Sequence, residues 1–310
     1  MLILNVLAPV FLIIALGAWM QRVQFVSPNF LREANRVTYW LGLPALLFSQ
    51  LVSSLHAAAG AERVLGAMVL TTLLVIAAGY AVAAALRVPT AAQGTFVQGA
   101  FRGNLAFVGL PIVFSLPDTP VAGGLGLHTA AIIVVAPIMV LYNVGGIVVL
   151  VVSRHAFGWK MFAPVVKQLA VTPPLLAPLA GLGFAAAGWK LPHAVDQTFT
   201  ALGEMALPRG LLGVGGSLVT GGLGADWRRP LGSALVKTAG GAVIGGLTAR
   251  FCGLGPVATQ LVMILAATPT AIVSYTLAVE LGGDERLASA NIAYSVPCSH
   301  VTLAAMLALG

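Results

Sequence analysis

The sequence predicts an all-α membrane protein: ten transmembrane helices in two inverted five-helix repeats, with broken crossover helices at spans four and nine. Three observations carry that reading. Charged residues are 8% and hydrophobic residues 59% of the 310 positions, with a mean hydropathy of +0.97, whereas a soluble domain has about 25% charged residues. One water-facing core has no room for so much apolar surface, so lipid is the solvent for much of the chain. Ten apolar stretches near the length of a membrane-crossing helix follow one another, and a proline pattern in the first half returns in the second.

The stretches are 2–20, 36–54, 64–86, 93–116, 124–152, 171–188, 198–220, 231–251, 257–280 and 287–308. The first has no basic residue before its apolar run, and the first positive charge, Arg22, follows it, so it reads as a retained span and not a signal peptide. The joints are short. The longest, Ser153 to Gln168, separates spans five and six and divides the chain into a first repeat (1–152), a cytoplasmic linker (153–170) and a second repeat (171–310). The 36 glycines and 18 prolines suit membrane helices, where glycine allows close packing and proline marks breaks.

Orientation follows from the alternate joints. One side collects Arg22, Arg32, Arg36, Arg87, Arg154, Lys160, Lys167, Arg228, Arg229 and Arg286, and the other only Arg63, Lys190 and Arg250. The positive-inside rule puts the first set in the cytoplasm and both termini outside it, in a multi-pass protein of the bacterial inner membrane. The same rule accounts for the net charge of +7 without nucleic acid, since no basic run is present.

At a shift of 164, Pro9, Pro28 and Pro44 fall on Pro173, Pro192 and Pro208, Gly17 on Gly181 and Ser53 on Ser217. These matches join span one to six and span two to seven. Five spans per half is an odd number, so the second half enters the membrane upside down, a transporter signature.

Span four contains Gly109-Leu110-Pro111 well inside it, and span nine has Pro269 followed by Thr270 in the corresponding place. Proline removes a hydrogen bond and disfavours helix at the residue before it, so a break is expected at each. A matched pair of breaks points to a midplane site, because free backbone N–H groups and a positive helix end attract an anion; a plain kink is the competing reading. Arg102 either snorkels to the cytoplasmic face or helps hold an anion in a vestibule, and Asn104 either meets a ligand carboxylate or bridges helices. Asn143, Asn291, Ser295 and Ser299 are polar liners or interhelical glue. Lys237 reads as snorkelling, with the place of a coupling cation as the alternative, and Glu204 and Arg209 read as surface groups near the outer end of span seven.

Other chemistry finds no support. Cys252 and Cys298 have no partners at metal-ligand spacing, the five histidines are scattered, no G-x-S-x-G occurs, and the glycine runs lack a P-loop ending. Neither an enzyme nor an ATP-driven pump is expected, and no cofactor.

Leu43-Pro44-Ala45-Leu46-Leu47-Phe48, Arg102-Gly103-Asn104 with Val108-Gly109-Leu110-Pro111, and Pro269 through Leu281-Gly282-Gly283-Asp284 together resemble the auxin efflux carrier family over nearly the full length. Its plant members are the PIN-formed auxin carriers, and bacterial members include carriers assigned to malonate and similar carboxylates. The Asn104 to Pro111 spacing is similar to that of the plant carriers' Asn and crossover Pro. Leu47 stands where a plant serine contributes, and the plant acidic residue of span three has no match. The resemblance implies a fold similar to bile-acid transporters and sodium/proton antiporters, with spans one, two, six and seven as scaffold and the rest moving as an elevator.

The expectation is thus a secondary transporter of a small organic anion, carboxylate or auxin-like, by alternating access, with Arg102, Asn104, Gly109, Pro111, Asn143, Pro269 and Thr270 at its site and a homodimer through the scaffold helices. The alternatives are an ion channel or sensor, and a cation/proton antiporter. The last would want deep acids, and spans three, four, five, eight and ten hold no Asp or Glu.

Overall fold

Helices lie over all ten apolar stretches, and half of these are built from two pieces. The computed structural model describes residues 2–54, 61–121, 125–154, 173–189, 191–221 and 226–309, so residues 155–170 of the expected linker lie outside the described residues. In chain order the helices are α1 (Leu2–Arg22), α2 (Pro28–Val37), α3 (Leu43–Ser54), α4 (Glu62–Ala85), α5 (Thr90–Phe101), α6 (Leu110–Phe114) and α7 (Leu127–Val152). After the linker come α8 (Pro173–Ala186), α9 (His193–Glu204), α10 (Ala206–Gly221), α11 (Arg228–Leu235), α12 (Gly241–Phe251), α13 (Pro256–Ala267), α14 (Val273–Glu280) and α15 (Glu285–Leu309). Wider π-helical turns join α2 to α3 (Thr38–Gly42), lead into α6 (Leu105–Gly109) and join α11 to α12 (Val236–Gly240). Among the described residues the only extended pairing is two isolated bridges. Glu62–Ala85, Leu127–Val152 and Arg228–Phe251 are each long and apolar enough to cross a bilayer by length and composition.

The repeated prolines sit where a helix tolerates them. Pro28 opens α2, Pro192 directly precedes α9 and Pro208 falls in the first turn of α10, where the missing N–H has no helical partner to lose; Pro44, the second residue of α3, follows the π-helical turn Thr38–Gly42. Pro173 opens α8, while its counterpart Pro9 lies inside α1.

Glycines let particular helices approach closely, and large apolar residues both fill the core and face outward. The α1 helix packs along α10 and α3 along α8; α5 lies between α4 and α7, α12 against α4 and α13, and α11 against α15. A Cβ at Gly17 would run into the Leu212 backbone, so glycine is what lets α1 approach α10 so closely. On α12, Val243, Leu247 and Phe251 recur every four residues and are 61%, 61% and 84% exposed, one stripe of the kind that faces lipid. Buried hydroxyls tie the interior together, as where Thr71 of α4 and Thr248 of α12 share a 2.6 Å hydrogen bond.

Candidate functional site

Spans four and nine are interrupted, and the interruptions meet. The α5 helix stops at Phe101, Arg102 turns extended (φ −78°, ψ 97°), and Gly103 pairs with Thr270 in an antiparallel bridge. The Asn104 N–H donates to the Pro269 carbonyl at 2.8 Å, and the Ala271 N–H to the Arg102 carbonyl at 2.8 Å. Local sequence explains both stops. Pro269 keeps Thr268 out of the helical region, at ψ 150°, which ends α13. Gly103 fits because a Cβ there would press on Thr268 Oγ1 and come within 3.0 Å of Lys237 Cε.

The break in span four therefore lies at 102–104, seven residues ahead of its expected place at Gly109 to Pro111. The Asn104 carbonyl accepts the N–H groups of Val108 (3.2 Å) and Gly109 (3.1 Å), and the second of these bonds opens a π-helical turn. Pro111 follows as the second residue of α6, so a widened turn receives it. Gly109 closes that turn, buried against Leu265 and Thr268 of span nine.

Carbonyls along α5 and at the end of α13 accept side-chain hydrogen bonds, most of them from other spans. On α5, Thr95 O accepts from Asn291 Nδ2 (3.2 Å), Phe96 O from Ser233 Oγ (3.0 Å) and Gly99 O from Thr270 Oγ1 (2.8 Å). On α13, Leu265 O accepts from Thr268 Oγ1 (2.8 Å), Ala266 O from Lys237 Nζ and Ala267 O from Ser299 Oγ (2.8 Å). Ser295 Oγ accepts the Thr270 N–H at 2.9 Å. Asn291, Ser295 and Ser299 thus hold α15 to the breaks.

Two cations among the described residues, Arg102 and Lys237, are buried. Arg102, 3% exposed, donates through Nη2 to Asn143 Oδ1 on α7, which brings together two residues expected at the site. Lys237, expected to snorkel, is instead 1% exposed. The physical reason is its partner: a cation is favoured at the negative, carbonyl end of a helix, here that of α13. Glu204 is exposed at the end of α9 and Arg209 part-exposed in α10, either side of the break at Met205, as surface groups are.

Sequence reasoning missed Gln98. It is fully buried on α5, and neither atom of its amide has a hydrogen-bond partner among the described residues. Its Nε2 and Arg102 Nη1 each lie 2.8 Å from where a Cβ of Gly146 would sit, so a glycine on α7 makes room for both. Ser274 Oγ, in the first turn of α14, and Asn291 Oδ1 are likewise buried without partners among the described residues. Buried polar atoms of this kind ordinarily mark a water, ion or ligand. The signal in the sequence was an amide four positions before Arg102, one helical turn away within a membrane span.

The buried polar residues of the described chain include two cations and no Asp or Glu. Among the described residues no cluster of His, Cys, Asp or Glu suits a metal ion. No curated protein matches this sequence. A family model described as membrane transport protein matches residues 2–307, and with nearly the whole length matched, the chain belongs to that family, the auxin efflux carriers.

Proposed function

We propose that the protein is a secondary transporter of a small organic anion, a carboxylate foremost, which binds where the two interrupted helices cross. The observation that carries this is the pair of buried cations, Arg102 and Lys237, beside the Gly103–Thr270 bridge, with no carboxylate in the buried polar set of the described residues. A buried charge costs several kcal/mol to desolvate, and a bound anion offsets that cost. The first turn of α14 adds a positive helix end with the Ser274 hydroxyl, and Gln98 adds an amide able to serve a second polar group of the ligand. Asn143 orients Arg102, Thr270 is tied to Gly99 and Ser295, and Asn104, Gly109, Pro111 and Pro269 shape the backbone around the crossing.

The inverted repeat is supported by the packing. Exchanging the halves turns the α1–α10 contact, span one on seven, into span six on two, which is the α3–α8 contact; likewise α4 on α5 becomes α12 on α13. An elevator motion draws support from the same division, since spans one, two, six and seven pack mutually and the remaining spans carry both breaks.

Two measurements test the reading. Purified protein titrated with acetate, malonate and indole-3-acetate should melt at a higher temperature with the ligand it carries, by mass action; a hundredfold excess over Kd stabilises by about 2.7 kcal/mol. A melting temperature that none of the three raises above a chloride control of equal ionic strength would count against carboxylate binding. Reporter fusions at His155 and at the C-terminus should report cytoplasm and exterior respectively. Both on one side would leave an even number of spans in the second half and remove the inversion.

A further inference from the structure

We infer that Lys237 is a tethered cation, filling the place at the carbonyl end of α13 where a carrier driven by a cation gradient would hold its ion. In carriers with interrupted helices, half-helix carbonyl ends coordinate the coupling cation. Here the last three carbonyls of α13, those of Leu265, Ala266 and Ala267, each accept a hydrogen bond from a protein side chain, and the middle one takes the Lys237 ammonium. The ammonium also stands at the crossing itself, since a Cβ on Gly103 would lie 3.1 Å from Lys237 Nζ. It issues from the π-helical turn Val236–Gly240 of span eight, whose extra residue changes which side chains face inward relative to an unbroken α-helix. Among the described residues no Asp or Glu is buried and no acidic or imidazole cluster is present. A sodium or potassium ion would therefore meet occupied carbonyls and like charge, with no carboxylate to hold it.

The consequence for transport, that the anion moves without a bound alkali cation, rests on the anion-carrier reading above; occupancy of the cation position by the lysine does not. The test is the melting temperature of the purified full chain in sodium, potassium and choline chloride at equal ionic strength. Wild type is expected to melt alike in all three. Lys237→Ala is expected to melt several degrees lower in choline chloride and to recover much of the loss in methylammonium chloride, which returns a small cation to the vacated space. Lys237→Arg should remain indifferent to the choice of salt. Should Lys237→Ala fail to fold, Lys237→Ser, which also leaves the space open, takes its place with the same expectation. Stabilisation of wild type by sodium or potassium over choline, or a neutral variant that methylammonium does not restore, would overturn the inference. No carboxylate is involved, so a chain that bound none would still give a clear answer here.

Discussion

Arg102→Gln is expected to weaken carboxylate binding ten- to a hundredfold while leaving the melting temperature of the ligand-free protein unchanged or higher. A hydrogen bond to a charged group in a buried site contributes about 1.5–3 kcal/mol, and each 1.4 kcal/mol is tenfold in Kd. The stability side has the opposite sign. The guanidinium is 3% exposed and donates to the neutral amide of Asn143, and burying a charge carries a desolvation cost that a neutral side chain removes. Glutamine also keeps an N–H donor for Asn143. If Arg102 served only to fasten α5 to α7, the pattern would reverse, with a lower melting temperature and native affinity in whatever protein folds. Titrations followed by thermal shift read both quantities from one sample, and Arg250→Gln, at an exposed arginine, should alter neither.

How far the sequence reveals this molecule depends on what each signal measures. Apolar run length reports whether a segment needs lipid, and helices lie over all ten of the stretches it marks. Proline reports that the residue before it leaves the helical region, and at Thr268 and Pro269 nothing intervenes, so the break falls where it is expected. At Pro111 a helix had a second option: the π-helical turn at Leu105–Gly109 leads into α6 without a break there, and the chain opens seven residues earlier, at a Gly-Asn pair with no strong mark of its own. Lys237 was misread for a related reason. Position along a span gives depth but not facing, and one extra residue in the turn at Val236–Gly240 changes the facing. Gln98 shows a further limit, because its significance lies in the space left by Gly146, some fifty positions away on α7. That Arg102, Asn143 and Thr270 find partners within the fold is what a polar group deep in an apolar span requires.

The two crossover prolines should therefore behave differently, although sequence alone treats them as a pair. Pro269→Ala is expected to lower carboxylate affinity at least tenfold. It frees Thr268 from its extended conformation and returns an N–H at 269, so α13 can continue through 268–272 into α14, and a continuous helix draws Thr270 out of its bridge to Gly103. The Asn104 N–H then loses the Pro269 carbonyl and the Ala271 N–H loses the Arg102 carbonyl, so the extended stretch that presents Arg102 is no longer held on either side. Pro111→Ala acts beyond the bridge, in the first turn of α6, where alanine is a good helix former and none of those bonds is touched. Its affinity should stay within about threefold of wild type, a difference under 1 kcal/mol. Both variants should remain folded, because the neighbouring helices still pack and the side-chain donors from α11 and α15 still bond α5. Measuring Kd and melting temperature for the two side by side decides the matter: equal losses of affinity would mean that the binding geometry depends on the whole of span four, and native affinity in Pro269→Ala would remove the bridge from the mechanism.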